Sequence, residues 1–164
     1  MSAPDAATKL PSLLTEDVVK NILRGAGCLL SILPALVGMG YGLIEGTKGI
    51  CKGAEYTINN TNTLFPLAFI SAPPIYSLIC FFTIALKDVE DMETAIRFFV
   101  AGAIDGISGC FSSYAIGCIS KFAVVTKSQQ KKFSVSFYML LIFGEVVGLL
   151  GLICAMILVM QSKS

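Results

Sequence analysis

Leu140-Leu141-Ile142-Phe143-Gly144-Glu145-Val146-Val147-Gly148-Leu149-Leu150 is an apolar run broken by one carboxylate. The block around it extends from about Phe133 to Met160, longer than the roughly 20 residues that cross a bilayer as a helix. Backbone N–H and C=O groups find no water in lipid, so a spanning segment must pair them internally. That requirement makes the block a transmembrane helix. It also makes Glu145, with about a dozen span residues on each side, an acid near mid-membrane depth.

Three further blocks have the same character: Ile22–Ile44, Leu64–Leu86 and Ile96–Val125. Across the 164 residues, 55% are hydrophobic and 14% charged, and mean hydropathy is +0.78. A water-soluble domain this short needs more polar surface than that. Twelve basic and 11 acidic residues give a net charge of +1 with no dense basic face, which argues against nucleic-acid binding. The six cysteines show no CxxC spacing, and no histidine is present, so a zinc set is not expected and the cysteines read as small packing residues. No phosphate-binding loop occurs, so the chain is not expected to hydrolyse nucleotide itself.

The expected fold is an all-α membrane protein of four transmembrane helices arranged as two duplicated hairpins. The parts are an N-terminal segment (1–21), a first hairpin (22–86), a connecting loop (87–95), a second hairpin carrying the carboxylate (96–160) and a short tail (161–164). The first span is expected to be retained, since no cleavage pattern precedes it. Thr15 is suited to cap the first helix, with Glu16 and Asp17 in its first turn. Pro34, and more strongly Pro73–Pro74, should open gaps in helical hydrogen bonding that neighbouring helices must fill. Lys48 and Lys52 in the first loop and Lys121, Lys127, Lys131 and Lys132 in the third put those loops on the cytoplasmic side. Both termini and the middle loop then face the lumen or exterior. Asn59-Asn60-Thr61 has the glycosylation spacing but falls on the cytoplasmic side of this topology.

Spans one and three align 73 positions apart, Gly38-Met39-Gly40-Tyr41-Gly42 on Phe111-Ser112-Ser113-Tyr114-Ala115, with Lys48 on Lys121. Spans two and four align at a similar offset, which sets Glu145 on Ser71. Such internal similarity suggests duplication of one hairpin, yet only the second keeps a mid-span acid. Small residues form three ridges: Gly38, Gly42 and Gly46; Gly102, Gly106 and Cys110; and Gly144, Gly148 and Gly151 with Ala155. Such ridges let helix backbones approach closely, either within one subunit or between copies in a ring.

A charge at the bilayer centre costs about 3 kcal/mol on insertion scales. Glu145 is therefore tolerated best as a neutral acid, and an acid that is neutral in lipid and ionised near a cation or water is a reversible proton carrier. A hydroxyl from Tyr76, Ser71 or Ser136 could hold its protonated form, and the sequence does not choose among them. Asp105 is the second acid inside a span, a candidate neighbour of the proton site or transport residue, expected to line a water-filled space or to pair with a lysine near a helix end. Glu45 closes span one as an interface residue.

The run Leu141-Ile142-Phe143-Gly144-Glu145-Val146-Val147-Gly148-Leu149-Leu150-Gly151-Leu152-Ile153 closely resembles the last helix of the proteolipid c-subunit, or its variant c-prime, of the vacuolar-type proton ATPase (V-ATPase). Gly144 stands where that family usually has alanine, and Leu150 where it has tyrosine, so the chain is similar to a diverged member. The resemblance implies an oligomeric rotor ring of copies and related proteolipids, with spans one and three inside and two and four outside. It implies that Glu145 is the proton-carrying acid. Its implied partners are protons, membrane lipid, the stator a-subunit with its essential arginine, and the central-stalk d-subunit. It implies the membrane of the vacuole or another acidified compartment, and no cofactor or metal. A small proton-coupled secondary carrier and a structural four-span protein are the competing readings.

Overall fold

The computed structural model describes the backbone of residues 3–56 and 64–161, with side chains from residue 15 onward except at position 131. Four helices follow in order: α1 (Ala3–Ala54), α2 (Phe65–Leu86), α3 (Met92–Gln129) and α4 (Ser134–Met160), with a single 3-10 turn, Lys131–Phe133, ahead of α4. There is no strand among the described residues. Each helix contains a stretch long and apolar enough to cross a membrane. The 22 residues of α2 rise about 33 Å, close to the thickness of a bilayer core. With 52 and 38 residues, α1 and α3 are longer than that core and continue beyond it.

Local chemistry explains the helix ends. Pro66 sits at the start of α2, where its missing N–H has no helical partner to lose. Asp91 is extended ahead of α3, and Glu93 lies in the first turn, where the helix dipole favours an acid. The cap expected at Thr15 is corrected: α1 is already helical from Ala3, so Thr15 lies within it. Asn59-Asn60-Thr61 lies outside the described residues.

The helices form two layers. In one, α1 and α3 lie side by side over the most extensive interface of the molecule; in the other, α2 rests against both of them and α4 packs on α3 and α2. Glycine contacts give the directions. Along α1, Gly27, Gly38, Gly42 and Gly49 meet Phe98, Cys110, Ser113 and Lys121 in turn, so α1 and α3 are parallel with an offset near that of the sequence repeat. Along α4, Gly144, Gly148 and Gly151 meet Ile116, Ser112 and Ser108, so α4 runs antiparallel to α3.

The small-residue ridges are used inside the subunit. A Cβ on Gly102 would lie 2.0 Å from the Gly27 carbonyl oxygen, and one on Gly38 would lie 2.3 Å from that of Cys110. Gly42 faces the Ser113 backbone and Gly46 the Ile70 side chain. Gly27, Gly49 and Gly117 extend this seam, although their spacing alone did not single them out. Two apolar clusters close the bundle around it, one on Phe98, Ile84 and Val159 and the other on Ile70, Ile116, Phe137 and Leu141.

The freed carbonyls of the prolines have neighbours. Pro74 has no N–H to give the Ile70 carbonyl, and Ser113 Oγ of α3 donates to that oxygen at 3.0 Å. Pro34 likewise frees the Leu30 carbonyl, whose oxygen lies 1.9 Å from where a Cβ on Gly106 would be. Both helices remain helical through their prolines.

Candidate functional site

Glu145 lies eleven residues after the start of α4 and fifteen before its end, which puts it about 16 Å from the nearer end. On α4, Leu141, Gly144, Gly148, Gly151 and Ala155 face the bundle and are buried. Glu145 flanks that stripe and is half-buried. Ile142, Phe143, Val146 and Leu149 beside it on α4 are exposed, as are Ile75 and Ile79 on α2. The carboxyl group thus stands at the margin of a largely apolar outer surface.

Of the three candidate hydroxyls, the structure brings Tyr76 to the acid. Its phenolic O–H donates to Glu145 Oε1. Gly148 packs on Pro73 and Lys87, just past the end of α2, donates to the Val159 carbonyl near the end of α4, so α2 and α4 are parallel and residue 145 is level with about residue 70. Tyr76 reaches the acid by leaning back along α2, the direction helical side chains take. Ser71 is nearly level with Glu145, as the repeat implied, but its hydroxyl donates to the Ala68 carbonyl of its own helix at 2.9 Å. Ser136 lies nine residues earlier on α4, about 14 Å away along the axis, and is exposed.

Two serines that the sequence marked only as repeat counterparts hold the site from behind. Ser112 Oγ donates to the Gly144 carbonyl at 2.8 Å, one residue before Glu145. Ser113 binds the Ile70 carbonyl of α2. Both serines are buried on α3, so α3 is the post that fixes the two helices carrying Glu145 and Tyr76. The available signal was a pair of hydroxyls in an apolar span opposite a Pro-Pro step.

Asp105 requires correction. It is 1% exposed, so it lines no water-filled space, and it pairs with no lysine among the described residues. Its Oδ2 is 2.9 Å from Ser31 Oγ. The α3–α4 register sets Asp105 level with about residue 155, roughly 15 Å from Glu145 along the bundle. It is therefore not a neighbour of the Glu145 site within the subunit. Glu45 does end span one as an interface group: its carboxylate bridges Lys48 of α1 and Lys121 of α3, the latter at 2.8 Å.

Residues 99–158, which contain both intramembrane acids, match the ATP synthase C-subunit family. The chain is similar to the V-type proton ATPase 16 kDa proteolipid c-subunit of Rattus norvegicus, 35% identical over 126 residues that cover 74% of this chain and 81% of that protein. It is similar to the V-type proton ATPase c-subunit of Candida tropicalis, 29% identical over 138 residues covering 80% and 84%. The Homo sapiens 16 kDa proteolipid c-subunit is also 29% identical, over 135 residues covering 80% and 87%.

Proposed function

The chain belongs to the family of V-type proton ATPase proteolipid c-subunits, and we propose that Glu145 is the group by which it carries protons as a rotor subunit of the ATPase membrane sector. The observation that carries this reading is the half-buried Glu145 carboxyl, bound by the Tyr76 hydroxyl, at the edge of an exposed apolar face of α2 and α4. A neutral acid on such a face can move through lipid at little cost, whereas its ionised form needs water or a cation. A stator arginine supplies that cation, since an opposite charge nearby favours the ionised form. Protonation on one side, passage through lipid and release near the arginine then give one proton per subunit per turn.

In this reading the α1–α3 layer lines the inside of a ring of copies and related proteolipids, and the α2–α4 layer faces lipid and the stator a-subunit. The central-stalk d-subunit contacts the ring from outside the membrane. The chain is a membrane-sector component, and nucleotide hydrolysis belongs to another part of the complex. The lysines toward the C-terminal ends of α1 and α3, among them Lys48, Lys52, Lys121 and Lys127, lie within the helices and not in the loops, and they support a cytoplasmic position for the first and third loops that follow. The termini are then lumenal, in the membrane of the vacuole or another acidified compartment.

The test is ATP-driven acidification of vesicles carrying the intact complex with either the native chain or Glu145→Gln. The amide keeps the size and the Tyr76 contact but exchanges no proton. Glu145→Gln is expected to abolish acidification while the complex assembles; acidification persisting in assembled Glu145→Gln complexes would refute the assignment.

A further inference from the structure

A second carboxyl group, Asp105, is enclosed where α1, α2 and α3 meet. Ser31 Oγ of α1 lies 2.9 Å from two oxygens, the Ser77 carbonyl of α2 and Asp105 Oδ2 of α3. A hydroxyl has one proton to donate, and a carbonyl can only accept. If Ser31 donates to the Ser77 carbonyl, the proton between Ser31 Oγ and Asp105 Oδ2 must come from Asp105. An ionised Asp105 would draw the Ser31 proton to itself and leave the Ser31–Ser77 contact as two oxygens at 2.9 Å with no hydrogen between them.

Charge balance points the same way. Asp105, Ser31 and Ser77 are each at most 1% exposed, and no cation pairs with Asp105 among the described residues. The buried thiols of Cys28 on α1 and Cys80 on α2 belong to the cluster with Phe98 and Ala101 at this end of the bundle and bring no positive charge. Arg24, two turns before Ser31 on α1, is engaged with the Lys87 carbonyl at 3.1 Å. At this level α4 presents Ala155 inward, and Cys154 is exposed. A buried carboxylate without a cation is far costlier than the neutral acid. Ser77 Oγ is buried, has no hydrogen-bond partner among the described residues and faces α3 at Gly109, one turn after Asp105. A small rotation gives its proton to the free oxygen of the acid.

We propose that Asp105 is a permanently protonated carboxylic acid, a second proton site that is not transported and that locks the two hairpins together. Its proton goes to Ser31, its other oxygen accepts from Ser77, and Ser31 donates to the Ser77 carbonyl. The first hairpin supplies both serines and the second supplies the acid, so the ring of contacts closes across the duplication. The site is enclosed and lies far along the bundle from Glu145, so its proton has no part in the transport cycle.

The test uses the intact complex with four chains: Glu145→Gln, Glu145→Gln with Asp105→Asn, and Asp105→Asn or Asp105→Ala alone. The infrared difference between the first two, at mildly alkaline pH, is expected to show a protonated-carboxyl C=O stretch that Asp105→Asn removes. Absence of that band would overturn the proposal, because Asp105 would then be ionised. Asparagine donates and accepts like the neutral acid, so Asp105→Asn should keep the ring assembled on heating as long as the native chain does, and should still acidify vesicles. Asp105→Ala is expected to lose the ring at a lower temperature. Asp105→Asn as labile as Asp105→Ala, or assembled but unable to acidify, would equally overturn it.

Discussion

Tyr76 and Glu145 form the one side-chain pair that couples α2 to the acid of α4 among the described residues. A phenol is suited to the role, because it donates to the carboxyl without carrying charge of its own into the apolar face. A hydrogen bond to the neutral acid is worth about 0.5–1.5 kcal/mol. Tyr76→Phe removes only that bond and keeps the ring in place. The expected result is a complex that assembles normally and acidifies vesicles more slowly, by up to about tenfold, with the rate at matched complex content as the measurement. An unchanged rate would show that the hydroxyl does not steady the acid. Glu145 stood out in the sequence because a carboxylate deep in an apolar run is costly there and calls for a reason. Its partner was not, because Ser71, Tyr76 and Ser136 all lay within plausible reach until the helix positions were known.

Pro73 and Pro74 make α2 the helix most dependent on its neighbours. Ser113 serves the Ile70 carbonyl that Pro74 leaves without its N–H. Ser113→Ala would strand that oxygen in an apolar setting, at a cost of about 1–3 kcal/mol. In a Pro74→Ala background residue 74 regains an N–H for the same carbonyl, and the cost of Ser113→Ala should fall to a small fraction of that. Thermal unfolding of the detergent-solubilised protein, read as a double-mutant cycle, measures the coupling. Equal costs in both backgrounds would separate the serine from the proline. That prolines need help was predictable from their chemistry, and the donor was not. Phe111-Ser112-Ser113-Tyr114 shows no sign in sequence of which serine turns to α2 and which to α4.

The whole molecule rests on the α1–α3 seam, where glycines allow backbone to meet backbone. A Cβ on Gly106 would sit 1.9 Å from the Leu30 carbonyl oxygen and 2.8 Å from that of Ser31. Neither can rotate aside, so Gly106→Ala must part the helices, costing about 3 kcal/mol. Gly25 has nothing within 4 Å of its Cβ direction, and Gly25→Ala should leave stability unchanged or raise it by up to about 1 kcal/mol through helix propensity. Melting temperatures of the two purified variants test the contrast, and a Gly106→Ala protein as stable as the native chain would show that the seam is slack. Both changes are glycine to alanine in one kind of helix, so only tertiary contact separates them.

By itself the sequence determined that the chain crosses the membrane as four helices, that two hairpins are related, and that Glu145 is the acid to watch. Those conclusions follow from solvent: lipid requires long apolar helices and makes an isolated carboxyl conspicuous. The tertiary structure alone decided which side chains meet. It joined Glu145 to Tyr76 and not to Ser71, enclosed Asp105 beside Ser31 and Ser77 and away from any lysine among the described residues, and turned two glycine ridges into the seam between α1 and α3 and the third onto α3 from α4. Those outcomes depend on helix rotation and register, to which hydropathy is indifferent, and a shift of one residue turns a side chain about 100° around its helix.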